Sequence, residues 1–198
     1  MSYTTTDEFA VLHALKVRGM STAEPLAEGT GIPRLSVQQI LDDAVARGLA
    51  RSRTGGRVEG YMLTGQGQQR RSALQAEVVT AGQQDALGPV YEGFLPLNKD
   101  FKALTTDWQT AADPDVTGTV DRLRAVHADL GDLLKTAAGA LPRMRFYRPR
   151  LDAALDRFAG GDTDALARPM SGSYHDVWME LHEDLLLTLE RPRSEHDE

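Results

Sequence analysis

Gly48-Leu49-Ala50-Arg51-Ser52-Arg53-Thr54-Gly55-Gly56-Arg57-Val58-Glu59-Gly60-Tyr61-Met62-Leu63-Thr64-Gly65-Gln66-Gly67 is the stretch on which the fold turns. Two short strand candidates bracket a Gly55-Gly56 turn able to adopt positive φ, with Arg51, Arg53 and Arg57 around it. The pattern predicts a two-stranded hairpin whose arginine-bearing tip can reach phosphates or a minor groove.

Upstream, the spacing predicts three helices. Asp7 to Arg18 sets Phe9, Val11, Leu12 and Leu15 mainly on one side, and Gly19 closes that helix. Ser21-Thr22-Ala23-Glu24 reads as a capping box opening a second helix, with Pro25 tolerated in its first turn and Gly29 and Gly31 at its end. After Thr30-Gly31-Ile32-Pro33, Ser36-Val37-Gln38-Gln39 reads as another cap. Val37, Ile40, Leu41, Ala44 and Val45 then form the inward stripe of a third helix that stops at Gly48. The order helix, turn, helix, strand, turn, strand is that of a winged helix-turn-helix, so Arg34, Ser36, Gln38 and Gln39 become candidates for a major groove, where Gln pairs with adenine and Arg with guanine or phosphate. Asp42 and Asp43 would repel the DNA backbone unless they face away.

The segments Val45-Ala46-Arg47-Gly48-Leu49-Ala50-Arg51 and Tyr61-Met62-Leu63-Thr64-Gly65-Gln66-Gly67 resemble the recognition-helix exit and second wing strand of MarR-type winged-helix transcriptional regulators. The resemblance covers residues 7–80. It implies operator binding on double-stranded DNA, a homodimer and a small-molecule effector, with Ser36, Gln38 and Gln39 facing bases and Arg53 and Arg57 in the wing.

Downstream, Thr64 is expected to cap a helix from about Gly67 through Val79, and Ala81-Gly82-Gln83-Gln84 is the softest point of the chain. From Asp85 onward the pattern is helical, with breaks expected at Pro96, Asp113-Pro114, Pro142, Pro149, Gly160-Gly161 and Pro169. Helices are predicted over 85–95, 97–108, 118–140, 150–158 and 174–189, a bundle of about five. The fold class is therefore mainly α: residues 1–82 a winged helix-turn-helix with its linker helix, 83–190 an all-α bundle for dimerisation or effector sensing, and 191–198 a disordered tail.

Charge is unevenly distributed. The chain of 198 residues carries a net −7, yet residues 1–84 hold nine basic and eight acidic side chains against thirteen and twenty-one in residues 85–198. Between Arg34 and Arg71 the arginines Arg34, Arg47, Arg51, Arg53, Arg57, Arg70 and Arg71 face only Asp42, Asp43 and Glu59. Such a patch holds phosphates even on an acidic protein, because the Debye length is about 8 Å at physiological salt. With no cysteine, disulfides and thiolate metal sites are excluded. No run of 18 apolar residues occurs and the start resembles no signal peptide, so a cytoplasmic protein without membrane contact is expected.

In the second half, Tyr91, Trp108, Tyr147, Tyr174 and Trp178, with Arg143, Arg145, Arg148 and Arg150, would line an effector pocket or fill the core, and core packing is favoured. His175 and His182 share a helix side, and His127 occupies a neighbouring seam. Together they suggest a metal or anion site. Histidines two turns apart lie about 10 Å distant along the axis, however, and satisfied half-buried histidines are the simpler reading. No cofactor is expected. A Walker loop, a Gly-x-Ser-x-Gly elbow and a His-Glu-x-x-His motif are all missing, which disfavours an enzyme. The alternatives to a DNA-binding regulator are a protein-interaction module that has lost DNA binding and a ligand-binding enzyme in the helical half.

Overall fold

The computed structural model describes residues 3–55 and 59–192. The chain is mainly helical with one small antiparallel sheet, and it divides into two units, Met1–Ala81 and Gly82–Glu198.

In the first unit α1 (Thr5–Arg18) begins with a capping box between Thr4 and Asp7 and ends at Gly19, whose φ of 75° takes the chain out of the helix. The next helix, α2 (Ala23–Thr30), departs from expectation at its start. Its cap position is Thr22 and no side chain caps it. Ser21 instead exchanges two backbone hydrogen bonds with Tyr61, donating at 3.1 Å and accepting at 2.8 Å. A long-range β-bridge has taken the residue that the local motif assigned to a cap. Similarly, α3 (Arg34–Ala46) starts two residues before Ser36. Pro33 stands at its cap position and its carbonyl accepts from the Ser36 and Val37 amides. A proline with its φ already near the helical value serves as an entry point where a serine motif was expected.

Strands β1 (Ala50–Arg53) and β2 (Gly60–Leu63) pair antiparallel, with Ala50 opposite Leu63, Arg51 opposite Met62, Ser52 opposite Tyr61 and Arg53 opposite Gly60. Cross-strand partners share a face. One face therefore holds Ala50, Ser52, Tyr61 and Leu63, and the other Arg51, Arg53 and Met62. Gly60 sits at φ 147°, and a Cβ there would meet the Ser21 carbonyl at 2.8 Å. Helix α4 (Gly65–Val78) is capped by the Thr64 hydroxyl, which accepts from the Gly67 amide. At Gly67 a Cβ would lie 1.9 Å from the Leu49 carbonyl, so the return of the hairpin into α4 demands glycine. Phe9, Leu12, Leu15, Leu26, Val37, Ile40, Leu41, Leu49 and Leu74 make the core of this unit.

The segment Ala81-Gly82-Gln83-Gln84 is helical: α5 (Ala81–Thr110) opens there after an extended Val79. Its glutamines are anchored, Gln83 to the Ala140 carbonyl and Gln84 to the Thr188 carbonyl. The break expected at Pro96 is absent too, and residues 85–95 and 97–108 form one helix that contains Pro89 and Pro96. Each interior proline costs about 3 kcal/mol. The buried face of Leu87, Val90, Tyr91, Phe94, Phe101 and Leu104 outweighs that cost, at about 1.5–3 kcal/mol per side chain buried.

Helix α6 (Val116–Ala140) starts at the Asp115 cap and buries Val120, Leu123, His127, Leu130, Leu134 and Ala137. A 3-10 turn over Pro142–Phe146 leads into α7 (Tyr147–Ala159). Pro149 lies inside the first turn of α7 rather than breaking the chain, because amides there have no intrahelical partner to lose. The short α8 (Asp164–Ala167) was not foreseen, and α9 (Tyr174–Thr188) starts with a capping box between Ser173 and Asp176. Four long helices thus stand where five were predicted. Arg191, expected to begin a disordered tail, pairs with Glu92 at 2.6 Å and lies over the Tyr91 ring; the rest of that tail beyond Pro192 is outside the described residues. No helix among the described residues is long and apolar enough to cross a membrane.

Candidate nucleic-acid interface

Helix α3 is held by polar contacts on both flanks. On one flank Glu8, a buried carboxylate of α1, accepts from Arg70 of α4 at 3.2 and 2.7 Å and pairs with Arg47 at 3.0 Å. Arg47 also holds Asp43 of α3 at 2.9 Å, and the Tyr3 hydroxyl donates to the same Asp43 carboxylate. Hydrogen bonds from Arg70, and then the Arg47 charge, keep the Glu8 carboxyl below its ordinary range against the opposing effect of burial. Tyr3 and then Arg47 do the same for Asp43. Burial and the Asp43 contact raise the Tyr3 hydroxyl. On the other flank Gln38 donates at 2.8 Å to Asp42 and at 2.8 Å to the Tyr61 hydroxyl, which ties α3 to β2.

These contacts engage both aspartates whose charge opposes a DNA reading, but only Asp43 is matched by a cation. Asp43 is turned into the Glu8 network. Asp42 remains exposed but holds Gln38 and Tyr61. The same contacts thin out the basic patch. Arg34 is exposed and pairs with Glu24 of α2 at 2.8 Å; Arg47 and Arg70 belong to Glu8; Arg71 is buried, with its guanidinium 3.2 Å from His13 Nδ1 and 2.7 Å from Gln75. Arg51 and Arg53 are left. Both are exposed on one face of the hairpin, and they have no ion-pair or hydrogen-bond partner among the described residues. Arg57, the third hairpin arginine, lies outside the described residues. At the tip Gly55, at φ 74°, donates its amide to the Glu59 carboxylate at 2.9 Å.

Of the α3 candidates, Gln39 is exposed, Ser36 half-buried, and Gln38 engaged as above. Ser36 and Gln39 border an open hollow with Tyr3, Asp7, Gly31, Ile32 and Pro33. Leu35, outside those candidates, is 77% exposed on the second residue of α3. Its signal was present: at 100° per residue it falls about 160° from Val37, opposite the apolar stripe.

The aromatic and histidine candidates of the second unit lie in its core or, for Trp108 and His175, half-buried against it. Trp178 is fully buried, stacks on Phe101 at 4.4 Å and donates its indole N–H to Asn98 at 2.8 Å. Tyr91 and His182 are buried together beside Phe94, His175 lies half-buried against Phe101, and Trp108 meets Phe158 edge-on. Tyr147 donates to the buried Asp184 at 2.9 Å, and Arg143 donates to the same carboxylate at 2.8 Å. His127 stands between the Tyr174 hydroxyl, 3.1 Å from Nδ1, and Asp152, 2.8 Å from Nε2, a geometry met by a neutral ring. Burial, and then the Arg148 charge, lower its pKa; burial raises the Tyr147 and Tyr174 hydroxyls. Among the described residues no group of three His, Asp or Glu side chains is placed to hold a metal ion.

No protein-family model, curated protein or solved structure matches the chain. The reading of this surface therefore rests on its geometry.

Proposed function

We propose that the chain is a DNA-binding transcriptional regulator in which α1 to α3 and the β1–β2 hairpin act as a winged helix-turn-helix, and the helices from α5 onward form a bundle for dimerisation or effector sensing. The carrying observation is the hairpin face on which Arg51 and Arg53 stand exposed and, among the described residues, without partners, beside a helix α3 that turns Leu35 and Gln39 to solvent. A recognition helix offers bases its N-terminal residues while arginines of an adjoining ribbon take phosphates. Gln39 suits adenine. A homodimer would place two such helices about 34 Å apart on successive major grooves, and an effector would act by shifting that separation.

Fluorescence anisotropy on duplex DNA from upstream of the protein's own gene, against a scrambled duplex and over a salt series, tests this. The expected result is specific binding that weakens with salt, with a slope that flattens by about 0.9 for each phosphate contact removed in Arg51→Ala/Arg53→Ala. Absence of duplex binding at low salt by folded protein overturns it. The second reading, a protein-interaction module, is favoured by one observation: Arg34, Arg47 and Arg70 are already neutralised by carboxylates.

A further inference from the structure

Leu35 is the most exposed large apolar side chain among the described residues, and it stands opposite the buried stripe of its own helix. The inward stripe of α3 is complete without it. Val37, Ile40, Leu41 and Ala44 are all buried, and Leu35 projects to the opposite side, in line with Gln39 one turn later. Nothing in the core is served by this leucine, since an alanine or a lysine there would leave every buried contact of α3 intact.

The two ends of that outward face differ. The N-terminal end carries Leu35 and Gln39, with Arg34 at the edge held by Glu24. Asp42 lies further along, its carboxylate fixed by Gln38 and the Tyr61 hydroxyl. A helix that met a duplex with its C-terminal half would bring the Asp42 charge towards phosphates. Entry by the N-terminal turn keeps that charge back and puts Leu35 first against the bases. In the major groove the apolar group on a base edge is the 5-methyl of thymine, and a branched aliphatic side chain is complementary to it.

We infer that Leu35 is a specificity-determining residue that reads the thymine 5-methyl group in the major groove, with Gln39 beside it on the same helical face. The inference rests on the DNA-binding reading and adds the base that the helix selects.

The test starts from duplexes enriched by the full-length protein from a randomised double-stranded pool. In the enriched duplex each thymine is replaced in turn by uracil, which removes the methyl and leaves base pairing unchanged, and affinities are measured for the wild type and for Leu35→Ala. Burying one methyl group is worth about a fourfold change in affinity. The wild type is expected to lose about that factor at one or two thymines. Leu35→Ala is expected to bind the thymine duplex correspondingly more weakly and to be indifferent to the uracil exchange at those positions. Because Leu35 is exposed, the variant should unfold at the wild-type temperature, which a melting curve verifies. If the wild type binds its selected duplex but every uracil exchange affects it and Leu35→Ala alike, Leu35 does not read thymine and the regulator reading survives. If no duplex is enriched or bound at low salt, both readings fall together.

Discussion

The two halves of the molecule are both rich in arginine, and they use it in opposite ways. In the second unit each described arginine but one is matched by a carboxylate: Arg122 by Asp107, Arg124 by Asp121, Arg143 by Asp184, Arg148 by Asp152, Arg150 by Glu180, Arg157 by Asp162, Arg168 by Asp164 and Arg191 by Glu92. The exception, Arg145, lies over the Phe146 ring. In the first unit Glu8, Asp43 and Glu24 satisfy Arg47, Arg70 and Arg34, and the hairpin is left with Arg51 and Arg53 exposed. The number of arginines is thus a poor guide to function. What distinguishes the hairpin is the supply of carboxylates within reach: the acidic half provides one for nearly every arginine, whereas the hairpin's one acid, Glu59, is used on the Gly55 amide.

The largest effect expected from this contrast is in the second unit. Asp184→Ala removes the acceptor of both Arg143 and Tyr147 from a buried position. Leaving a guanidinium there without its carboxylate should lower stability by about 3–5 kcal/mol in chemical denaturation. A loss below about 1 kcal/mol would show that the pairing is incidental.

Next comes Glu8→Gln, which takes the carboxylate from Arg70 and one of two from Arg47. These partners are partly exposed, so the expected loss is smaller, about 2 kcal/mol. The sign with pH follows from the lowered Glu8 carboxyl. A carboxyl depressed in the folded state stabilises above its ordinary value of 4.5, and that contribution disappears as the pH falls through the folded value. The difference between wild type and variant should be full at pH 6 and shrink below pH 4. A difference constant over that range would contradict the network.

A weaker pH effect belongs to His127. Burial and Arg148 depress it below 6.5, so its contribution is present at neutral pH and is lost as the pH falls below 6.5 through the folded value. Proton NMR should show an imidazole that titrates below 6.5 and is missing in His127→Gln. His175, depressed by burial in the same direction, remains in that spectrum as an internal reference. Smallest of all is the change in stability expected of Arg51→Ala/Arg53→Ala, within about 0.5 kcal/mol by thermal unfolding, as for exposed surface groups.

The contrast was only half legible in the sequence. Periodicity located α1, the stripe of α3, the hairpin and the seam of α6, because local spacing decides those elements. It could not show that Ser21 would pair with Tyr61, nor that Glu8 would reach across 62 residues to Arg70, since both contacts exist only after the chain has folded back. Pro96 reads as a break because its local cost is visible and the apolar face that overrides it is a tertiary matter. Leu35 was legible and overlooked: an apolar residue off the stripe of its own helix is a signal of the same kind as the stripe itself.

Duplex binding by two double variants that remove equal charge separates the hairpin's own contacts from the effect of net charge. Arg51→Ala/Arg53→Ala takes from the hairpin two exposed cations without partners among the described residues, and Arg157→Ala/Arg168→Ala takes two exposed, ion-paired ones from the second unit. In a salt series on one duplex, the hairpin pair should weaken binding at least tenfold and flatten the salt slope by about 2, and the second pair should leave both within twofold. Equal loss in the two variants would mean that net charge alone governs the interaction, and the assignment of the hairpin as a DNA-contacting element would be wrong.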